Sequence, residues 1–416
     1  MNLFDELQYR GLIKDYSNEE NIKEMLKTPQ TIYCGFDPSA ASMHMGNFVM
    51  IMTLMRLQKA GHKIIAVVGG ATGMIGDPSG KSAERNLLDK HALAHNTEQI
   101  RSQLAKYLDL SDPRKGEIVN NYDWHGKLNV LEFLRDYGKY FTINYMLAKD
   151  TVARRLETGI SYAEFSYMLL QAVDFLHLYE HYGCTMQIGG SDQWGNLISG
   201  LDLIRKVKGA DTKVEVMTAH LLTDAEGNKF GKSVEGALFL DPKKFSAYKL
   251  YQYFYNVSDA DADKYLKVFT FLAKAEIEAI MKEHYDAPHR RLAQTRLAEE
   301  IVALVHSKEA LDHAREMSAA LFSGDVKELS AEDIIDLFSQ TLVEVAPLLK
   351  LEDVLIAIKA ATSKREAREF IRGNSISVNG ERLTDPDLIL TNDYLLHNKY
   401  LIIRRGKKNY FVAEVK

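Results

Sequence analysis

Asp37-Pro38-Ser39-Ala40-Ala41-Ser42-Met43-His44-Met45-Gly46-Asn47 gathers a carboxylate, hydroxyls and an imidazole beside a glycine. The stretch follows Thr31–Asp37, whose apolar run reads as a buried strand. It precedes Asn47–Ala60, apolar almost all round, which reads as a buried helix stopped at Gly61. Between a strand end and a helix start, free N–H groups and the helix dipole favour an anion such as a phosphate. Ser39 and His44 could donate to phosphate oxygens, and Gly46 would let a ligand ring approach the backbone. The same residues also fit a β-α turn in which His and Ser only cap the helix. Lys229-Phe230-Gly231-Lys232-Ser233 lies nearly 190 residues later. Two ammoniums and a hydroxyl on a movable loop suit charge developing on a leaving pyrophosphate, although such loops are most often solvated surface.

A third set lies on a helix expected over Ser161–His177. Tyr167, Gln171 and Asp174 fall at i, i+4 and i+7, on one face. Phe165, Met168, Leu169, Ala172, Phe175 and Leu176 form a neighbouring stripe for the core. The polar three are either a solvent face or, turned to a pocket, a hydrogen-bonding set for a small amphoteric ligand.

These residues need elements to hold them. His62–Val68 reads as a second strand, so 31–68 forms a β-α-β unit with a right-handed crossover in a parallel sheet. Gly69–Arg85 is a long loop rich in Gly, Ser and charge, of a length that is usually functional or disordered. Helices are expected over 87–109, 129–137 and 143–156. Thr185–Ile188 reads as a short strand, a helix runs from Asn196 to about 207, and Lys213–Leu222 is strand-like. Asp224–Ser233 reads as a turn and polar loop. Residues 246–320 are helical and poor in proline, 321–349 read as a linker, and a compact α/β tail starts at 350.

In the tail, Ser363 and Glu366 make a capping box, and the helix they start ends at Gly373. Arg365, Arg368 and Arg372 share one face of it, with Lys364 beside them, while Ala367, Phe370 and Ile371 face a core. Ser375–Val378 alternates like a strand, and Asn379-Gly380 is a hairpin turn. Arg404, Arg405, Lys407 and Lys408 form a second basic cluster. Residues 350–416 carry 13 Lys/Arg against 9 Asp/Glu, whereas the first 349 carry 39 against 48. A basic tail on an acidic body fits a module that faces a polyanion, or chance unevenness.

Of 416 residues, 46% are hydrophobic and 26% charged, which excludes disordered and collagen-like classes. No apolar run approaches the roughly 18–20 residues of a membrane span. The opening MNLFDELQYRGLIKDYS has acids where a signal peptide has bases, so a cytoplasmic protein is expected. Cys34 and Cys184 form no C-x-x-C, and neither a disulfide framework nor a cysteine-rich metal site is expected.

In this order and at this distance, the first two sets resemble the paired signature motifs of class I aminoacyl-tRNA synthetases. Tyr33-Cys34-Gly35-Phe36-Asp37-Pro38, Gly76-Asp77-Pro78-Ser79-Gly80-Lys81 and Gly189-Gly190-Ser191-Asp192-Gln193-Trp194-Gly195-Asn196 narrow the resemblance to bacterial tyrosyl-tRNA synthetases, over essentially the whole chain. It implies that tyrosine is activated by ATP and passed to its tRNA. It implies that Tyr167, Gln171 and Asp77 hold the α-amino group, Tyr33 and Asp174 recognise the phenol, and Gln193 lies near the reacting carboxylate. Cys34, Asp37, Gly46, Asn47, Gly190, Asp192 and Lys232 would contact ATP. Ser39 and His44 would donate to the phosphates, and Lys81, Arg85, Lys229, Lys232 and Ser233 would be mobile contacts to pyrophosphate.

The expected organisation is α/β, with a Rossmann-like catalytic domain over 1–220 and a mobile loop region over 221–245. An α-helical tRNA-contacting domain over 246–320 and the 321–349 linker follow, then an S4-like RNA-binding domain over 350–416. Lys364, Arg365, Arg368, Arg372, Arg404, Arg405, Lys407 and Lys408 would face RNA. Magnesium is expected with ATP, no protein-held metal is expected, and a homodimer would use helical surface around 127–156. Asn47 replaces the second histidine of the H-x-G-H signature and can still hydrogen-bond a ribose. It also resembles the tryptophanyl enzymes, the first rival, although these typically lack the string from Tyr33 to Pro38. The second rival is an RNA-binding paralogue that no longer activates an amino acid.

Overall fold

The computed structural model describes the chain apart from residues 81–86, 229, 234–235, 407–408 and the side chains of 232–233. Its contacts divide it into two compact units, 1–245 with 254–300, and 246–253 with 301–416.

The first unit is built on a parallel sheet of β1 (Thr31–Phe36), β2 (Lys63–Val68), β3 (Gly116–Asn120), β4 (Cys184–Gly190) and β5 (Glu215–Ala219). Their order across the sheet is β3-β2-β1-β4-β5. Connections run to one side from β1 and then jump to β4, so the switch point lies between β1 and β4, where open α/β sheets bind ligands. β1 and β2 pair without a break from Thr31 opposite Lys63 to Phe36 opposite Val68. β2 is buried after Lys63 and β1 buries Ile32, Tyr33, Cys34 and Phe36, the apolar signature of central parallel strands.

The helix Met45–Lys59 buries residues on every side and stops before Gly61, whose φ of 95° suits glycine. The helix Tyr162–Tyr182 runs five residues past the expected His177 and ends at left-handed Gly183, since nothing in Leu178–Tyr182 breaks it. The expected 143–156 helix is two short pieces, Ile143–Leu147 and Asp150–Ala153. β3 gives no apolar run because it is an edge strand with only Gly116 fully buried.

Helices 246–320 do not form one body. Residues 254–300 belong to the first unit, where Phe230 packs on Phe254, Tyr265 and Phe269. Arg10 ties the same region down by donating to the carbonyls of Lys267, Thr270 and Leu272.

In the second unit the 321–349 segment is structured rather than a linker. It holds the helix Ala331–Phe338 and a strand, Leu342–Val345, that pairs in parallel with the last strand, Asn409–Val415. This sheet continues through Tyr400–Arg405 and Ile376–Val378 to Glu381–Arg382. The helices Leu351–Ala357 and Lys364–Arg372 cover it, burying Leu351, Leu355, Ala367 and Ile371 against Ile376, Val378 and Ile403.

Candidate active site

The carboxyl ends of four strands feed one cavity of about 380 Å³, within the usual range for a small-molecule site. Asp37 follows β1, Thr72 and Asp77 follow β2, Asn121 follows β3, and Asp192 and Gln193 follow β4. The helix Tyr162–Tyr182 closes one wall with Tyr167, Gln171 and Asp174. Fourteen expected residues line this one cavity: Tyr33, Cys34, Asp37, Ser39, His44, Gly46, Asn47, Asp77, Tyr167, Gln171, Asp174, Gly190, Asp192 and Gln193.

At one end of the cavity, the Asp174 carboxylate accepts from three donors. Trp124 Nε1 at 2.8 Å and His125 Nε2 at 2.7 Å meet Oδ1, and Asn121 Nδ2 meets Oδ2 at 3.1 Å. The Tyr33 hydroxyl is buried with no hydrogen-bond partner among the described residues. Burial, with the Asp174 charge adding, raises its pKa well above the usual tyrosine range, so it stays a neutral O–H. A buried hydroxyl without a partner is costly, and the cost is relieved when a polar ligand arrives.

A second group presents acceptors. Tyr167 donates its hydroxyl proton to Asp37 Oδ2 at 2.6 Å, so its oxygen can only accept from anything else. Asn196 Nδ2 lies 3.1 Å from Gln171 Oε1 and 3.5 Å from Asp77 Oδ1. Gln193 Nε2 donates to Asp77 Oδ2 at 2.5 Å. Acceptors on Tyr167, Gln171 and Asp77 suit an ammonium with three N–H bonds. Asp37, expected among the ATP contacts, is bonded to Tyr167 and to Thr72 Oγ1, and so lies with this acceptor group. Burial pushes its carboxyl up to about 6, against the pull of those two hydrogen bonds, and a bound cation would offset that cost. Gly69 is required here, because a Cβ on it would lie 1.9 Å from Asp37 Oδ1.

The third part is built around His44 and Asn47. His44 caps the helix Met45–Lys59 through a reciprocal box, its Nδ1 accepting from Asn47 N while Asn47 Oδ1 accepts from His44 N. With Nδ1 accepting, the neutral ring carries its proton on Nε2, a donor. A Cβ at Gly46 would stand 2.8 Å from His44 Cε1, so only glycine leaves the imidazole in place. The capping role that the sequence left as an alternative is therefore present together with the cavity position.

Gly231, from the second motif, reaches the same point. Leu238 N donates to Gly231 O, Met45 N donates to Leu238 O, and Leu240 N donates to Met43 O. Gly231, at φ 93°, lies so close that a Cβ there would be 3.3 Å from Gly46 N. The two motifs, far apart in sequence, are thus clamped backbone to backbone. Lys81, Arg85 and Lys229 lie outside the described residues, and for Lys232 and Ser233 only the backbone is described. Gly80 and Gly190 leave room for Asp192, whose carboxylate would lie 3.4 Å and 2.7 Å from their added Cβ atoms. The buried Cys34 thiol is pushed up to about 12 by desolvation and remains protonated.

Asn121, Trp124, His125, Thr72 and Asn196 were not expected in these roles. The first three follow β3, the strand that gave no apolar signal. Asn196 lay inside a quoted motif with no role assigned. Among the described residues no cluster of three or more His, Cys, Asp or Glu could hold a metal ion.

In the second unit Lys364, Arg365 and Arg372 are exposed. Lys364 pairs with Asp353 at 2.8 Å, and Arg368 is bound to Glu352, which anchors the helix rather than leaving that guanidinium open. Arg404 packs on Gly324 and Tyr410, and Arg405 donates to Ala360 O and covers the Phe370 ring. Lys407 and Lys408 are outside the described residues.

Comparison with known proteins adds the following. The model of the family described as tRNA synthetases class I (W and Y) matches residues 25–323. That of the tyrosine–tRNA ligase SYY-like C-terminal domain matches 334–413. A tyrosine–tRNA ligase of Bacillus caldotenax is 50% identical over 416 residues, covering 99% of both chains. The tyrosine–tRNA ligase 1 of Bacillus subtilis is 49% identical over 420 residues, covering both chains completely. A C-terminally truncated mitochondrial tyrosyl-tRNA synthetase from Aspergillus nidulans superposes with a TM-score of 0.69 at 33% identity, over 76% of this chain and 93% of that one.

Proposed function

We infer, from a chain that belongs to the tyrosine–tRNA ligases of the class I synthetase family, which of its residues do each part of the work. The reaction joins L-tyrosine to its tRNA in two steps. The tyrosine carboxylate attacks the α-phosphate of ATP, giving tyrosyl-adenylate and pyrophosphate. A terminal ribose hydroxyl of the tRNA then takes the tyrosyl group.

Tyrosine lies with its phenol at Tyr33 and Asp174 and its ammonium at Tyr167, Gln171 and Asp77. The observation that carries this reading is the buried, unpartnered Tyr33 hydroxyl near an Asp174 held by three donors. A phenol O–H donates to Asp174 and accepts from Tyr33, satisfying both. Asp37 supports the ammonium end through Tyr167. ATP lies over β1 and β4, its ribose toward Cys34, Asn47, Gly190 and Asp192, with Gly46 admitting the ring and Gln193 near the reacting carboxylate. His44 and Ser39 donate to the phosphates, and Lys81, Arg85, Lys229, Lys232 and Ser233 are the contacts to pyrophosphate. Magnesium enters as the partner of ATP, which needs only one or two protein carboxylates. No general base is assigned: positioning and charge stabilisation supply the catalysis.

Tyr167→Phe removes an acceptor from the ammonium and a donor from Asp37. Steady-state ATP–pyrophosphate exchange is expected to show the tyrosine KM raised roughly 10–100-fold, with a smaller effect on kcat. An unchanged KM would remove Tyr167 from the ammonium site.

The C-terminal sheet and its helix Lys364–Arg372 take the tRNA, with exposed Lys364, Arg365 and Arg372 as the phosphate contacts. Arg368 and Arg405 hold that helix face in shape, with Arg404, Lys407 and Lys408 as further RNA contacts. The double variant Arg365→Ala/Arg372→Ala is expected to weaken tRNA binding and lower the slope of log K against log salt by about 1.5. Tyrosine activation without tRNA should not change. An unaltered slope would place the RNA elsewhere.

The chain works as a homodimer. Val130, Leu131 and Ile143, all within the 127–156 stretch, are 73%, 79% and 61% exposed and offer apolar surface for a second copy of the chain to cover. Sedimentation of the parent should give twice the chain mass, and Leu131→Glu should shift it to monomer. A monomeric parent would contradict this. The compartment is the cytoplasm, which supplies ATP and tRNA and keeps two unpaired thiols reduced.

A further inference from the structure

Asp174 is the residue on which tyrosine recognition turns, and its own surroundings are unusual. Oδ1 takes two donors, Trp124 Nε1 and His125 Nε2, while Oδ2 takes only Asn121. A carboxylate oxygen has about two lone-pair sites, so Oδ1 is filled and Oδ2 keeps one position open. The His125 side chain is only 6% exposed and that of Asp174 5%. His125 Nδ1 is buried with no partner among the described residues. A buried ring nitrogen left unsatisfied is a cost that packing alone does not require, since an apolar side chain would fill the place without it. What the imidazole supplies that an apolar group would not is the N–H on Asp174.

His125 is held where it can do this. It ends the short helix Tyr122–His125, and its backbone N donates to Asn121 O at 3.1 Å. Trp124, the other donor to Oδ1, is stacked on His177 with ring centroids 4.4 Å apart and planes at 16°. The three donors to Asp174 therefore come from one five-residue segment, Asn121–His125, placed by the end of β3.

We propose that His125 is a specificity-determining positioning residue: by filling Oδ1 of Asp174 it leaves Oδ2 as the place where a substrate hydroxyl donates, and so sets the preference for tyrosine over phenylalanine. The carboxylate torsion of an aspartate is broad and two-fold. Without the His125 N–H, Oδ1 keeps only Trp124 and gains an open lone-pair site of its own, so both oxygens can accept and the one facing the ligand is no longer preset. Tyrosine loses by this, and phenylalanine, which offers no hydroxyl, does not. The proposal rests on the reading that Asp174 receives the phenol.

The test is ATP–pyrophosphate exchange with tyrosine and with phenylalanine in parent, His125→Leu and His125→Gln enzymes. His125→Leu should raise the tyrosine KM and lower the ratio of kcat/KM for tyrosine over phenylalanine by about 10–100-fold, with kcat at saturating tyrosine nearly unchanged. His125→Gln, which restores an amide N–H of similar reach, should recover most of that ratio. If His125→Leu does not fold, His125→Asn, whose amide stops short of Asp174, is read in its place. A ratio within twofold of the parent in the donor-less variant would overturn the proposal. So would an equal loss in His125→Gln, which would make the effect one of packing. The underlying reading is tested separately by Asp174→Asn: if that variant activates tyrosine normally, the phenol site itself is wrong. If it fails while the His125→Leu ratio holds, only the role of His125 is lost.

Discussion

Asp174→Asn is expected to lower kcat/KM for tyrosine activation by on the order of 10³, because one partner of a buried charge-assisted set is removed. Three N–H groups converge on this carboxylate from Asn121, Trp124 and His125. An amide in its place must turn its own N–H₂ toward one of them, so the variant has lost an acceptor and gained a donor conflict. Activity toward phenylalanine, already poor, should change far less. Tyr33→Phe is the companion measurement and carries opposite signs in its two readouts. Its hydroxyl has no protein partner among the described residues, so removing it should leave the melting temperature unchanged or raise it. The same change should raise the tyrosine KM about tenfold. A variant that lost stability and affinity together would show that the hydroxyl serves the fold, not the ligand.

The second large effect is at His44, proposed as a donor to the phosphates. His44→Ala is expected to cut kcat for adenylate formation by roughly 10²–10³, the usual cost of losing one preorganised donor to developing charge. The tyrosine KM should hardly move, since His44 and the tyrosine-binding residues occupy different parts of the cavity. The residue is also an N-cap, and losing a cap costs about 0.5–2 kcal/mol of stability. His44→Asn separates these roles. Asparagine caps as well as any residue, so stability should return while the rate stays low. Rate and stability recovering together would make His44 a structural cap only. Pre-steady-state burst kinetics of adenylate formation and thermal melts on the same three proteins decide between the two.

How much of this could be read from residues alone differs from element to element. β1, β2 and the helix between them were legible because central parallel strands and a fully buried helix write long apolar runs. The helix that carries Tyr167, Gln171 and Asp174 was legible in phase, so these side chains were rightly placed on one face, although its end was set five residues early. β3 was not legible. An edge strand is half-buried and short, and with it went Asn121, Trp124 and His125, the set that holds Asp174.

Asp37 shows another limit. Its place in a motif suggests that it faces the cavity, but only the bond to Tyr167, from an element 130 residues away in sequence, shows which group of side chains it joins. The 246–320 stretch was legible as helices but not as two parts, because periodicity reports an apolar face and not what covers it. The strand Leu342–Val345 was missed for the same reason: its partner is Asn409–Val415, at the far end of the tail.

The most direct test of the site is ATP–pyrophosphate exchange measured with each of the twenty amino acids in turn, without tRNA. Exchange supported by tyrosine alone is the result expected from a phenol seated between Tyr33 and Asp174. Exchange supported by tryptophan or by phenylalanine at a comparable kcat/KM would contradict it, because neither brings a hydroxyl to satisfy those two residues.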